Sequence, residues 1–382
     1  MNDQLALTPP MGWNSWNTFA GNIHETLIKE TADAMVNTGL KAAGYTYVVI
    51  DDHWHGGRDE QGRLYPDPEK FPSGMLSLAN YIHSLGLKFG IYSDAGTKTC
   101  GGQPGSMGFE ELDAQTFASW GVDFLKYDYC YAPEDRGAAE RLYRTMGDAL
   151  KAAGGARGRP ILFNLCEWGT RRPWLWGRQV GGHMWRATGD IWDGWTDGEK
   201  EWQNGILSII DMARGLEAYA GPGGWNDLDM LEVGIHGHGN TPGVKGCTEP
   251  EYRTHFSMWC MLASPLFIGC DIRNMDDGTK EILTHKEIIA LNQDSAGKQG
   301  FRVRTGRTEA YKKNLAGGDL GVALLNRCED SRTIVLDWSD LEINGTYRVR
   351  DLWAHVDLEN TSKHVTAEVA PHGCAVFRLS PV

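Results

Sequence analysis

Short, almost continuously apolar runs alternate with segments whose apolar residues recur every few positions, and nothing else in the chain restricts its fold as tightly. The runs are Tyr45 to Ile50, Leu87 to Tyr92, Val122 to Leu125, Ile161 to Leu165, His183 to Ala187 and Pro265 to Ile268. Such continuous hydrophobicity is what parallel strands covered on both faces require. Between them, Leu27, Ala32, Met35, Val36 and Leu40 can stripe one helix face. Similar stripes run from Met75 to Leu85, Phe109 to Trp120, Ala138 to Leu150, Ile206 to Leu216 and Ile282 to Leu291. With Met11-Gly12-Trp13-Asn14 as a first strand and Gly224-Trp225-Asn226-Asp227 as a seventh, about eight βα units follow one another. That count predicts an α/β chain built on a (β/α)8 TIM barrel, with its site at the C-terminal strand ends.

The pattern changes after Gly297. Phe301 to Arg304, Val322 to Leu325, Thr333 to Leu336, Tyr347 to Arg350 and Ala375 to Arg378 read as short strands separated by turn-rich stretches, with no helical stripe between them. A small C-terminal antiparallel β-sandwich packed on the barrel is expected, dividing the chain into residues 1–296 and 297–382.

Acids close many of the barrel's runs: Asp51-Asp52, Asp94, Asp128, Glu167, Asp190, Asp227, Asp229 and Asp271. An acid at the end of a buried strand makes sense when it is aimed into a cleft, and repetition suggests one acidic site assembled from many strands. Breaking a glycosidic bond needs two carboxyls in different environments, one to protonate the leaving oxygen and one to attack or to activate water. Asp128, beside Lys126, is expected to stay ionised, which suits a nucleophile. Asp190, in Arg186-Ala187-Thr188-Gly189-Asp190-Ile191, is expected among less polar neighbours, which suits an acid. Helix capping or pairing with arginine is the alternative for both. Asp51-Asp52 can grip two neighbouring hydroxyls, or one can cap a helix while the other is solvated. Asp52-His53-Trp54-His55 contains a His-x-His, but metal-dependent barrels need further histidines from later strands, and those strands end in Glu167 and Asp190. No metal and no cofactor is expected.

The formal charge is −13 with no basic run, which argues against nucleic acid or an anionic membrane as partner. The longest apolar stretch, Trp259 to Cys270, is too short to cross a bilayer. Met1-Asn2-Asp3-Gln4 lacks the basic start of a signal peptide, so the chain is either cytosolic or has lost its leader. The 15 tryptophans and 13 tyrosines suit sugar faces, though ordinary packing is the better account of them taken alone. The 8 cysteines form no CxxC pair, against a zinc ribbon.

These residues resemble glycoside hydrolase family 27, the α-galactosidases and α-N-acetylgalactosaminidases. The likeness runs from Pro9-Pro10-Met11-Gly12-Trp13-Asn14-Ser15-Trp16 to Leu291-Asn292-Gln293-Asp294. Between them it includes Gly62-Arg63-Leu64, Lys70-Phe71-Pro72-Ser73-Gly74-Met75, Gly90-Ile91-Tyr92-Ser93-Asp94, Lys98-Thr99-Cys100 and Ala220-Gly221-Pro222-Gly223-Gly224-Trp225-Asn226-Asp227. The resemblance implies a retaining, exo-acting enzyme that removes terminal α-galactosyl residues, with Asp128 as nucleophile and Asp190 as acid/base. It places sugar contacts on Trp16, Asp51, Asp52, Tyr92, Lys126, Glu167 and Arg186. Asp51 and Asp52 would take the 4- and 6-hydroxyls, Lys126 hydroxyls near the nucleophile, and Arg186 the 2-hydroxyl, with Trp16 as an apolar wall. Glu167 stands where N-acetylgalactosamine-cleaving members carry a smaller residue, which favours a free 2-hydroxyl, although Thr170 is smaller than usual. α-N-Acetylgalactosaminidase and β-L-arabinopyranosidase are the alternatives within the family, and a catalytically silent galactose-binding protein is the alternative outside catalysis.

Cys100 and Cys130 match a cysteine pair of the family and are expected to be bonded, which favours an oxidising compartment over the cytosol. His53 replaces a cysteine common in the family, so a second disulfide is expected to be missing. The loop His53-Trp54-His55-Gly56-Gly57 departs from the family pattern. Oligomeric state is not legible.

Overall fold

The computed structural model describes residues 5–241 and 243–382; Met1 to Gln4, read above for a leader, lie outside them. Eight strands form one parallel sheet: β1 Met11–Asn14, β2 Tyr47–Val49, β3 Lys88–Asp94, β4 Phe124–Asp128, β5 Leu162–Leu165, β6 Met184–Arg186, β7 Trp225–Asp227 and β8 Leu266–Ile268. From β1 to β7 each pairs with the next in chain order, and β1 also pairs with β8. The ring closes just past β7. There the Leu231 amide donates to the Phe267 carbonyl at 2.7 Å, and the Gly269 amide donates to the Leu231 carbonyl at 3.0 Å. This is the expected TIM barrel.

The surrounding helices are α1 Glu25–Asn37, α2 Met75–Ser84, α3 Glu110–Ser119, α4 Arg136–Arg157, α5 Ile206–Met212, α6 Glu249–Met261, α7 Asp277–Leu283 and α8 Lys286–Asn292. Two sequence stripes are each split in two. The first breaks at Gly39, whose φ of 91° is left-handed, and a short turn of helix, Leu40–Ala43, follows it. The second breaks between α7 and α8, where His285 caps the new helix by accepting from the Ile288 amide. Helix α6 was not legible as a stripe because it has almost no polar face: Thr254 to Met261 are all buried. Its start is locked by a capping box between Thr248 and Glu251.

A hairpin of His55–Arg58 and Leu64–Pro66, also absent from the sequence reading, follows β2. Arg58 fixes it with two 2.7 Å bonds to the Asp113 carboxylate on α3.

The C-terminal strands are β9 Phe301–Arg304, β10 Thr308–Asn314, β11 Leu320–Asn326, β12 Arg332–Asp337, β13 Tyr347–Asp351, β14 Val356–Thr361, β15 His364–Val369 and β16 Cys374–Pro381. A six-stranded sheet in the order β9-β10-β11-β16-β13-β14 packs with the two-stranded β12-β15 around Val322, Leu324, Leu336, Trp338 and Phe377. Strands β10, β14 and β15 are additions to the sequence reading. β10 hides two charges, Glu309 and Lys313, and β14 is exposed along most of its length, so neither displays an apolar alternation.

The opposite face of this domain joins the barrel core, with Tyr311, Leu315, Ala323 and Val376 packed into it. The Lys313 ammonium donates to the Cys260 carbonyl of α6 at 2.9 Å, and Arg350 grips Glu287 of α8 at 2.6 and 2.8 Å. Among the described residues no helix is long and apolar enough to cross a membrane.

Candidate active site

Alternation along each strand decides which side chains meet. Residues two apart share a face, so Tyr92 and Asp94 of β3, and Lys126 and Asp128 of β4, point the same way. The parallel register then sets them side by side: Tyr92 against Lys126, Asp94 against Asp128, Lys126 against Asn164, and Arg186 against Asp227. All lie at C-terminal strand ends.

Asp51, just past β2, accepts through Oδ2 from Lys126 Nζ and from Asn14 Nδ2, both at 2.8 Å. Its Oδ1 takes the Asp52 amide at 2.9 Å. The two carboxylates do diverge: Asp52 accepts from the His53 amide at 2.7 Å and the Gly101 amide at 2.8 Å. Burial raises the proton affinity of Asp52, and those amide bonds oppose it. The ammonium of Lys126 lies 5.4 Å from the centre of the Tyr92 ring. Trp16, half-buried at the mouth, runs parallel to the His53 imidazole with ring centres 6.3 Å apart.

Asp128 departs from expectation in its electrostatics. Lys126 spends its hydrogen bond on Asp51, past the end of β2, not on Asp128. Burial therefore dominates, and with the charges of Asp190 and Asp51 it lifts the Asp128 pKa to about 7 against the pull of Lys126. Lys126 itself is buried, which opposes its charge, but Asp51, Cys166 and Asp128 outweigh this and hold its proton more firmly than usual. Next to Asp128, Asp94 accepts from the Gly96 amide at 2.7 Å and the Cys130 amide at 2.9 Å. Burial and the charge of Asp128 raise its pKa to about 8.

The expected Cys100–Cys130 bond is present and spans a sequence separation of 30. Asp94, Asp128 and these two sulfurs are the one group among the described residues close enough to resemble a metal cluster. Its sulfurs are tied up in the disulfide, so they are not thiolate ligands. His53 and His55 turn to different partners, His53 to Trp16 and His55 to Trp54 with ring centres 3.8 Å apart. His236, in its later loop, bonds Asp276 at 3.1 Å.

The surroundings of Asp190 are also corrected. Far from being apolar, it is about half exposed (48%) and accepts from Arg186 at 2.9 Å. Arg186 is buried, which opposes its charge, yet Asp229, Cys166, Asp190 and Asp227 hold it firmly cationic. Just past β7, Asp229 takes the same guanidinium nitrogen at 3.0 Å. Glu167 is enclosed, with Oε2 accepting from the Arg171 amide at 2.7 Å and burial lifting its pKa to about 7.

Four buried polar atoms around Arg186 have no partner among the described residues: Asn164 Oδ1, Glu167 Oε1, Arg186 Nε and Thr188 Oγ1. Such orphans are rare in native proteins and mark a place built to receive a polar ligand or water.

Asp271 does not join this site. It caps the turn Ile272–Asn274 and is held by two bonds from Arg273, both at 2.8 Å. Asn14 and Asn164 do join it but escaped the sequence reading, since a lone asparagine in an apolar strand gives no signal until its neighbours are known.

The barrel and sandwich match known proteins throughout. A family model described as alpha galactosidase A covers residues 8–294, and one described as the alpha galactosidase C-terminal beta sandwich domain covers residues 305–379. Alpha-galactosidase A of Cellvibrio japonicus (strain Ueda107) is 47% identical over 395 residues, spanning 99% of this chain and 93% of its own. Alpha-galactosidase I from Mortierella vinacea superimposes with a TM-score of 0.92 at 38% identity, covering 100% of this chain and 99% of its own. The α-galactosidase from Saccharomyces cerevisiae solved with raffinose gives a TM-score of 0.91 at 32% identity, over 99% of this chain and 98% of its own. With an acid-lined barrel mouth and both domains matched, the chain belongs to the α-galactosidases of glycoside hydrolase family 27.

Proposed function

We propose that this α-galactosidase removes terminal, non-reducing α-D-galactosyl residues with retention, Asp128 acting as nucleophile and Asp190 as acid/base. The observation that carries the reading is the convergence of two carboxyls from different strand ends on one mouth, with the charge of Asp190 acting on Asp128, beside a group of unpartnered polar atoms. In the first step an Asp128 oxygen attacks the anomeric carbon while Asp190 gives its proton to the leaving oxygen. In the second, Asp190 removes a proton from water, which attacks the same carbon and frees Asp128. Two inversions give net retention.

Asp51, Asp52 and Lys126 supply acceptors and a donor for the galactose hydroxyls, and Tyr92 and Trp16 supply faces. Glu167 Oε1 and Arg186 Nε offer an acceptor and a donor near the 2-hydroxyl. A carboxylate at Glu167 leaves no volume for an acetamido group, which favours galactose over N-acetylgalactosamine. Galactosyl oligosaccharides are the substrate class we infer, supported by the relative solved with raffinose. The Cys100–Cys130 bond supports an oxidising compartment.

Asp128→Gly should abolish hydrolysis of nitrophenyl α-galactoside, and added azide should restore turnover with β-galactosyl azide as product. Near wild-type hydrolysis by that variant, without azide, would refute the assignment. Parallel assays on the N-acetylgalactosaminide and the β-L-arabinopyranoside test the choice of sugar, and faster turnover of either would overturn it.

A further inference from the structure

One nitrogen of Arg186 serves two carboxylates, Asp190 at 2.9 Å and Asp229 at 3.0 Å. This arrangement matters because Asp190 must be protonated to begin the reaction, whereas a guanidinium at this distance favours a carboxylate. Asp229 sits at a cost. Its φ is 76°, a left-handed conformation unusual for a residue other than glycine. Two bonds enforce it: the Asp229 amide donates to Asp227 Oδ1 at 3.0 Å, and the Trp259 indole donates to the Asp229 carbonyl at 2.9 Å. So constrained, the side chain turns back under the loop after β6, and Asp229 Oδ2 also accepts from the Ile191 amide at 2.8 Å. That amide belongs to the residue directly after Asp190.

We infer that Asp229 is the positioning residue of the acid/base: it fixes the Asp190 loop through Ile191 and is the second partner that lets Arg186 release Asp190 to carry a proton. The inference rests on Asp190 being the acid/base. When Asp190 gains its proton, the guanidinium keeps an ionised partner without moving, so no buried cation is left unpaired. Other charges bear on the pair. Arg186 comes from β6, Asp128 from β4 and Cys166 from the end of β5 face Asp190. Lys126, Asp227 and Glu232 join Arg186 and Asp190 around Asp229. Burial raises the proton affinity of Asp229, while Arg186 opposes that shift and favours the ionised form.

Asp229→Asn separates charge from shape. Asparagine tolerates a left-handed backbone, and its oxygen can still accept from Ile191. With Asp190 the one described carboxylate left within ion-pair distance of Arg186, the protonated acid becomes harder to keep. The basic limb of kcat/KM for galactosyl-α-1,6-glucose should move to lower pH by about one unit. At the acidic plateau kcat should stay within about threefold, and α-galactosyl fluoride, whose departure needs no proton, should show a smaller change at high pH. A uniform loss with the profile unmoved would mean a structural role only and would overturn the inference. Asp229→Gly, which also accepts the backbone, should give the same shift with lower kcat, and serves if the asparagine variant does not fold. Asp190→Ala decides the underlying assignment separately: it should cripple the disaccharide far more than the fluoride, and equal losses on both would refute Asp190 as acid while leaving the Asp229 geometry untouched.

Discussion

Lys126 and Asp128 are two positions apart on one strand, yet they do not form a pair. Both point into the barrel, but the ammonium donates to Asp51 Oδ2, past the end of β2 and 2.8 Å away, an oxygen it shares with the Asn14 side-chain amide. Lys126 thus has two effects, aligning Asp51 by a hydrogen bond and lowering the proton affinity of Asp128 by charge alone. The second effect can be measured. Lys126→Met leaves Asp128 buried without its main counter-charge, so its pKa rises further above about 7. Because the nucleophile must be ionised, the acidic limb of kcat/KM should move to higher pH, by about one unit. An unmoved limb would show that Asp128 does not feel Lys126.

At the level of elements, the loops after β3 and β4 behave as one unit. Asp94 holds amides from both, at Gly96 and Cys130, and the Cys100–Cys130 bond closes them covalently. Replacing both cysteines with serine reopens a loop with a sequence separation of 30. The chain-entropy cost is about 3.6 kcal/mol, to be read as a lower denaturant midpoint with a somewhat steeper slope, because the unfolded chain is no longer cross-linked. Activity should fall as well, since Cys130 lies two residues beyond Asp128. A variant as stable as the parent would mean that the Asp94 bonds alone hold these loops. Helix α6 teaches a different lesson: flanked by the barrel and the sandwich, it buries nearly every side chain, so it carries no helical stripe in the sequence.

Across the whole molecule, the barrel and sandwich share one core, and a charge is sealed in the seam. Lys313 is buried on β10, and burial pushes its pKa down to about 7, against the charges of Cys260 and Asp294. Above that pH the folded chain holds a neutral amine while the unfolded chain, with an ordinary lysine, still binds the proton up to about pH 10. The unfolded state therefore binds more protons over this window, and the penalty for burying Lys313 is largest at or below pH 7 and shrinks as pH rises toward 10. Lys313→Met should raise the melting temperature most at pH 6, with a smaller gain at pH 9. A destabilised variant at pH 6 would show that the bond to the Cys260 carbonyl outweighs the cost of burying the charge.

The order of the barrel strands and the acids at their ends were legible in the sequence, because periodicity and burial are local properties of a run of residues. Asp128 and Asp190 were legible as candidates for the same reason. Their electrostatics were not. Whether Lys126 pairs with Asp128 or Asp51, whether Asp190 meets apolar side chains or Arg186, and whether Asp271 or Asp229 belongs to the site all turned on contacts between distant strands. A charge interacts with whatever the fold brings within a few ångströms, and that neighbourhood is set by barrel closure and by the left-handed turn at Asp229, neither of which a local pattern encodes.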